Sequence, residues 1–399
     1  MSTHLDTLVI GAGQAGLATA HQLRLLGREC LVIDAGSRIG DGWRHQWDSL
    51  RLYSPARYSG LPGMPFPASP WHYPTKDEVA DYLEAYAARF DLPVRLRTMV
   101  LRVAQLPAGA AGAADAAGED AGRFLVQTDA GDYVADNVVI ATGTFGRTPK
   151  VPSFAADLDP SITQLHSSDY RRPAQLADGP VLVVGASHSG HDIAYEAALT
   201  RPTTLVGRDC GQIPVRLESR RMRVVFPVLW TVWGTLLDRR TPMGRKALRG
   251  IRFHGGPALR VKREDLLERG VERLEERVVG VEDGRPQLAG GRVLDVATVV
   301  WATGFRQAFG WLDVPVVGDD GWPREERGVA TDVPGLYFVG LSMQSSFRSM
   351  LIGGVGADAA HVARHLARRA TGRPVEPTAG RASAGPGAGE APEAPTVAA

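Results

Sequence analysis

TLVIGAGQAG, residues Thr7–Gly16, decides the fold. Thr7 to Ile10 is an unbroken apolar run, the pattern of a strand buried on both faces of a parallel sheet. Gly11, Gly13 and Gly16 follow as G-x-G-x-x-G. The first glycine permits a tight turn, the second lets backbone approach a pyrophosphate, and the third packs a new helix against the strand. That helix would present its N-terminal amides and dipole to the phosphates. Leu17, Leu23 and Leu26 continue it and Gly27 is placed to end it. ECLVIDAG then carries Asp34 to the end of a second strand, 23 residues after Gly11, where a carboxylate accepts from ribose hydroxyls. Strand, glycine turn, helix, strand and acid together make a dinucleotide-binding unit rather than a loop with chance glycines.

The same grammar returns further on. VLVVGASHSG aligns with TLVIGAGQAG at an offset of 174, keeping glycines at 185 and 190 but placing Ser187 where the middle glycine stood. Arg208 lies 23 residues after Gly185, the position equivalent to Asp34. An acid there suits a free ribose, whereas an arginine accommodates a 2′-phosphate, so the first unit reads as an FAD or NAD site and the second as an NADP site. Arg208 as a plain surface arginine is the alternative.

Between and beyond these units the pattern is consistent with an α/β chain. AGSRIGDGWRHQWDSLRLYSPARYSGLPGMPFP is too rich in Gly, Pro and Trp for a regular element and too aromatic for a solvated linker. It is either an ordered loop packed on the core or a cover over a cofactor's ring. Lys76 to Phe90 has helical spacing with Thr75 as N-cap, and strands are expected near 94–105 and 123–128. The low-complexity PAGAAGAADAAGEDAG between them is expected to be a disordered hairpin loop. DNVVIATG and VATVVWATGF end in Thr-Gly, the second expected to return the chain to the first unit. GLYFVG is a last strand, and a helix is expected from about Gly356. From Gly372 onward composition predicts a disordered tail.

Charge is balanced, 45 Lys and Arg against 44 Asp and Glu, which gives no electrostatic case for a nucleic-acid partner. A first strand beginning by Leu5 leaves no room for a signal peptide, and no run is long enough to span a bilayer, so the expectation is a cytoplasmic protein. Cys30 and Cys210 are the only cysteines, far apart and without C-x-x-C, which argues against a dithiol relay. No metal site is expected.

The chain resembles the flavin-containing monooxygenases and their bacterial relatives over about residues 5–370. The likeness rests on GAGQAG, DGWRHQWDSLRLYSP with LPGMPFP, ATGTFGRTP, GASHSG, ATGF and the closing GLYFVGL with GGVG. LHSSDY keeps the His166 and Tyr170 end of the family's identifying segment, while Pro160 and Ile162 replace its Phe and Gly. The resemblance implies two Rossmann-like dinucleotide-binding domains. An FAD domain would comprise residues 1–150 and 301–371, an NADP domain 151–300 would be inserted in it, and 372–399 would form the tail. It implies FAD along Gly11, Ala12, Gly13, Gln14, Ala15, Gly16, Asp34, Gly42, Trp43, Val100, Thr142, Gly143 and Gly340. NADPH would lie along Gly185, Ser187, His188, Ser189, Gly190, Arg208, Thr303 and Gly304. With O2 as co-substrate, NADPH would reduce FAD, and a C(4a)-peroxyflavin would oxygenate a small, apolar organic molecule. Tyr53 stands where mammalian-type members carry an asparagine near that centre, so it is either the catalytic hydrogen-bond donor or a packed aromatic. His166 either contacts NADP or positions the inter-domain linker.

Two other activities fit the same cofactor sites: an NADPH oxidase or electron-transfer reductase, and a redox-sensing regulatory flavoprotein of a transport system. One stretch stands outside the pattern, Val224 to Leu237, VVFPVLWTVWGTLL, flanked by arginines. Pro227 is expected to break a helix near its start. The stretch is either buried between domains or at a homodimer interface, or it is a lid over the substrate entrance that rests on a membrane surface.

Overall fold

The computed structural model describes residues 3–107, 123–143 and 148–370. Most of the low-complexity joint, the TFGR of ATGTFGRTP and the tail lie outside the described residues. The chain opens with β1 (Thr3–Ile10), α1 (Gln14–Leu25), β2 (Leu31–Ile33), the short α2 (Asp41–Arg44), α3 (Lys76–Arg89), β3 (Val94–Arg95), β4 (Val100–Gln105), β5 (Phe124–Thr128) and β6 (Tyr133–Ile140). β1 lies between β2 and β6, parallel to both, and its last four residues are buried, as the apolar run requires. α3 starts where expected. Thr75 Oγ1 accepts from the Glu78 amide at 3.2 Å while Glu78 accepts from the Thr75 amide at 2.7 Å, a reciprocal cap.

A short strand, β7 (Thr148–Pro149), leads into β8 (Thr163–His166), β9 (Val181–Val184), α4 (His188–Ala197), β10 (Thr203–Val206), α5 (Met222–Thr235), α6 (Pro242–Phe253), α7 (Arg263–Glu268), β11 (Glu272–Leu274), the hairpin β12 (Val278–Glu282) and β13 (Arg285–Leu288), and β14 (Thr298–Trp301). The second sheet is fully parallel in the order β11-β10-β9-β14-β8. β14, expected to return the chain to the first unit, is therefore a strand of the second sheet. The return is made by β15 (Phe305–Arg306), which pairs antiparallel with β7. β16 (Leu312–Asp313), β17 (Glu325–Glu326), β18 (Val329–Ala330) and β19 (Leu336–Phe338) rejoin the first sheet, with β19 parallel to β6. α8 (Val355–Ala370) then packs Ala359, Val362, Ala363 and Leu366 into the core around α1.

The segment 224–237 departs from the break expected at Pro227 and is only partly buried. α5 runs through Pro227, because the one intrahelical bond a proline removes here is that to the carbonyl of Arg223, an exposed residue in the helix's first turn. Nor is it buried on all sides. Met222 and Phe226 are buried, Trp230 and Trp233 lean inward, and Val224 (73 % exposed), Val228 (60 %) and Leu236 (48 %) face out. The inward face meets first-unit residues: Phe226 and Trp230 lie against Tyr58, and Trp233 against Phe347. The α5–α6 arm thus leaves the second unit and lies on the first.

Buried charge pins it there. Glu325, its side chain wholly enclosed, pairs with Arg239 at 2.6 Å and Arg252 at 3.3 Å and accepts from the Gly328 amide. Arg239 also donates to the Gln344 carbonyl and Arg252 to that of Ser342. With its polar atoms satisfied, the cluster offsets the desolvation that an isolated buried carboxylate would suffer.

Candidate functional site: two matched dinucleotide cradles

The two glycine turns are superimposable in their local logic. Gly11 and Gly185 take left-handed φ of +109° and +110°, and their amides donate to the Ile33 and Val206 carbonyls at 2.7 Å. A Cβ on Gly11 would stand 2.7 Å from the Ala141 carbonyl oxygen, and one on Gly185 2.3 Å from that of Ala302. Gly16 and Gly190 are tighter still, at 1.8 and 1.7 Å from the carbonyl of the first glycine in each turn. Only glycine fits these four positions. Across each turn lies an Ala-Thr-Gly, 141–143 and 302–304, whose glycine has φ +79° in both copies.

Gly13 is different in kind. A Cβ there would meet nothing within 4 Å, so its surroundings are open, as close approach of a pyrophosphate requires. Thr142 Oγ1, opposite, is buried and without a partner among the described residues. Gly340 lies close enough to α1 that a Cβ would stand 2.8 Å from the Ala15 methyl, and its amide donates to Gln344 Oε1 at 3.0 Å. Trp43 leans over the start of α1, its indole donating to Gln14 Oε1 at 3.4 Å, and Gly42 beside it faces open space. Asp34 stands just past β2 as expected. Its carboxylate already accepts from the Ala12 amide at 2.6 Å and the Gly36 amide at 2.7 Å, leaving the outer lone pairs for a ribose. Val100 opens β4 near the same sheet end, where the Thr98 amide donates to the Asp34 carbonyl. An open glycine, a buried hydroxyl without a partner among the described residues and an acid at the end of β2 fit the FAD expected there.

In the second cradle Ser187 has an ordinary extended backbone, φ −95°, so the loss of glycine strains nothing. Its hydroxyl donates to the Gly256 carbonyl at 3.0 Å. His188 and Ser189 open α4. Arg208 stands two residues past β10, exposed. Its cationic neighbours are committed elsewhere: Arg263 to Asp209, and Arg273 to the carbonyls of Leu205, Gly207 and Leu274. Thr303 Oγ1 donates to the Lys150 carbonyl, and Gly304 O accepts from His166 Nε2 at 3.0 Å. His166 also accepts from the Ser168 amide on Nδ1. It is buried, its pKa is lowered by desolvation, and it ties β8 to the stretch crossing back to the first unit.

Tyr53 lies where the two units meet. Its hydroxyl donates to Asp192 Oδ2 of α4 at 2.8 Å, and its ring lies 5.3 Å from that of His188. Burial, then the Asp192 charge, pushes the phenol well above its usual 10. Burial pushes the Asp192 carboxyl up to about 6 against the pull of the Tyr53 bond and Arg260. Burial and the neighbouring His191 push His188 down to about 4, leaving it neutral. Asp192 and Glu196 escaped the sequence reading, although a signal was there. At the offset of 174 they align with Ala18 and Gln22, so the second helix carries two acids where the first has none.

Two such cradles, one nested in the other's chain, define a two-domain flavoprotein oxidoreductase. The family model for pyridine nucleotide-disulphide oxidoreductases matches residues 8–211, and the chain belongs to that family. A CzcO-like oxidoreductase of Geobacillus kaustophilus is 38 % identical over 361 residues, covering 90 % of this chain and 97 % of that protein. The probable indole-3-pyruvate monooxygenase YUCCA3 of Arabidopsis thaliana is 26 % identical over 91 % of this chain and 86 % of its own length. Among solved structures, a flavin-containing monooxygenase from Stenotrophomonas maltophilia superposes with a TM-score of 0.69 at 27 % identity, covering 91 % of this chain and 98 % of that one. The resemblance read from the motifs is borne out, and so are its fold and the FAD and NADPH it implies. The chain is an NADPH-dependent flavoprotein oxidoreductase of the monooxygenase type. No helix among the described residues is long and apolar enough to cross a membrane.

Proposed function

We propose that this chain oxygenates a small apolar molecule, with FAD held by residues 1–150 and 301–371 and NADPH by 151–300. The observation that carries the assignment of sites is the contrast between the cradles: open Gly13 and acidic Asp34 in the first, Ser187 and the exposed Arg208 in the second. Bound FAD supplies the redox and oxygen-activating chemistry. The protein's share is to orient and enclose. The glycine turns and the start of α1 receive a pyrophosphate, Asp34 a ribose, and Arg208 a 2′-phosphate. Trp43 and the irregular stretch after it cover the ring, keeping water away.

A cavity of about 760 Å³ supports an apolar substrate. Tyr58, Leu61, Met64 and Phe66 form one wall, Trp230 of α5 closes another, and Gly353 lies beside α8. α5 is in this reading a lid. Its outward valines, with exposed Arg220, Arg221 and Arg223 at its start, support peripheral contact with an anionic membrane surface.

The test is stopped-flow spectroscopy. Flavin reduced by NADPH without oxygen is mixed with oxygenated buffer. The monooxygenase gives a transient absorbing unlike either oxidised or reduced flavin and decaying faster when substrate is present. Direct return of the oxidised spectrum overturns the proposal in favour of an oxidase.

A further inference from the structure

Hydride transfer between two cofactors held by two units depends on how those units meet. On the face of α4 toward the first unit, Asp192 and Glu196 stand one helical turn apart and so point the same way. Each accepts a hydrogen bond from a hydroxyl of the irregular first-unit stretch. Tyr53 donates to Asp192 at 2.8 Å and Ser49 to Glu196. The donors are themselves four residues apart. Glu196 also accepts from Tyr170 at 2.9 Å, and Arg260 donates to the Leu52 carbonyl between the two donors at 2.9 Å.

We propose that Asp192 and Glu196 are a clasp that sets the nucleotide-binding helix of the second unit against the loop covering the flavin, with Asp192 the positioning residue for Tyr53. The inference rests on FAD and NADPH occupying the units assigned above. Two parallel bonds at neighbouring turns fix both the height and the rotation of α4, and the turn that begins this helix carries the nucleotide. Charge-assisted hydroxyl–carboxylate bonds are the strong kind, suited to holding a geometry to a fraction of an ångström.

The clasp is also releasable. Asp192 is buried opposite a neutral phenol rather than a full ion pair. The groups facing it are Tyr53, its α4 neighbours His188, His191 and Glu196, and Arg260, which is shared with Glu218 and lies over the rings of Tyr53 and Tyr73. Both histidines are pushed toward the neutral form by burial, so Arg260 is the cation that opposes protonation of Asp192. As pH falls through about 6 the carboxylate takes a proton, and the Tyr53 hydroxyl loses its charged acceptor.

The experiment measures anaerobic flavin reduction against NADPH concentration by stopped-flow, in wild type, Tyr53→Phe, Asp192→Ala, Asp192→Asn and the Tyr53→Phe/Asp192→Ala double variant. Loss of the bond is expected to slow the limiting rate roughly tenfold or more, with NADPH affinity little changed. The double variant should be no slower than either single one. Asp192→Asn, neutral like the protonated carboxyl, should hold the rate at the low value that wild type reaches below pH 6 and make it independent of pH. Multiplying effects in the double variant overturn the clasp, as do rates equal to wild type or losses confined to NADPH affinity. Wild-type flavin that NADPH does not reduce overturns the underlying assignment of cofactors together with the clasp, and is recognisable because it appears before any variant is compared.

Discussion

Arg208 and Asp34 occupy equivalent positions, each 23 residues after the first glycine of its unit, and their charges predict opposite consequences. Arg208→Ala is expected to weaken NADPH by about 1.5–3 kcal/mol, the worth of a hydrogen bond to a charged group, and to leave NADH nearly untouched. Parallel changes in the kinetics with the two nucleotides would remove Arg208 from the 2′-phosphate. Asp34→Ala loses more than a ribose contact, since the Ala12 and Gly36 amides lose their acceptor as well. Purified variant is expected to carry substoichiometric flavin, read from the ratio of flavin to protein absorbance. Asp192 behaves differently because burial outweighs its hydrogen bond. With a carboxyl raised from 3.8 to about 6, the folded state is stabilised by the proton, and that stability is lost as pH rises through 6. The cost at pH 8 is about 3 kcal/mol. Asp192→Asn should therefore melt higher than wild type at pH 8, with the gap closing as pH is lowered toward 4. An equal difference at all pH values would show that Asp192 is not a raised buried carboxyl.

At the level of elements, the two strand–turn–helix units were legible because their signals are local. Glycines with forced φ, apolar strands and caps are properties of ten neighbouring residues, so Thr7–Gly16 and its copy at 181–190 could be read directly. α5 was not, because hydrophobicity along VVFPVLWTVWGTLL does not say which side a neighbour will cover. Tyr58, Trp71 and Phe347, remote in sequence, cover only the face of Phe226 and Trp233. The clasp was hidden for the same reason: Tyr53 and Asp192 are 139 residues apart. The observed orientation also moves the test of membrane contact. Trp230 and Trp233 hold the helix down, so the residues to change are Val224, Val228 and Leu236. Val224→Ser/Val228→Ser/Leu236→Ser should lose co-sedimentation with vesicles rich in anionic lipid while keeping flavin and NADPH oxidation. Wild type left in the supernatant with those vesicles would end the idea.

For the molecule as a whole, the arm and the clasp join the units from opposite directions. α5 and α6 belong to the second unit yet end on Glu325 and the 342–347 loop, whose Gln344 holds the Gly340 amide beside α1. Removing one partner of a buried pair costs about 3–5 kcal/mol, because the others are left as uncompensated charges. Glu325→Ala is expected to lower the apparent melting temperature and to open residues 220–254 to limited proteolysis, with flavin retained. Wild-type resistance of that stretch would show that the arm is held by its aromatic contacts alone.

The Lys150 amide donates to the Gly304 carbonyl at 2.9 Å, so the excursion that builds the second sheet leaves and re-enters at one point. A stretch whose two ends touch is a cassette. At the level of the gene it can be exchanged for the matching stretch of a relative by joining two short seams, β7 and β15, without re-threading the flavin unit. Such a transplant would bring its own nucleotide preference with it. The donors that make a working chimera are those whose α4 carries acids to meet Ser49 and Tyr53, and whose arm carries arginines to meet Glu325.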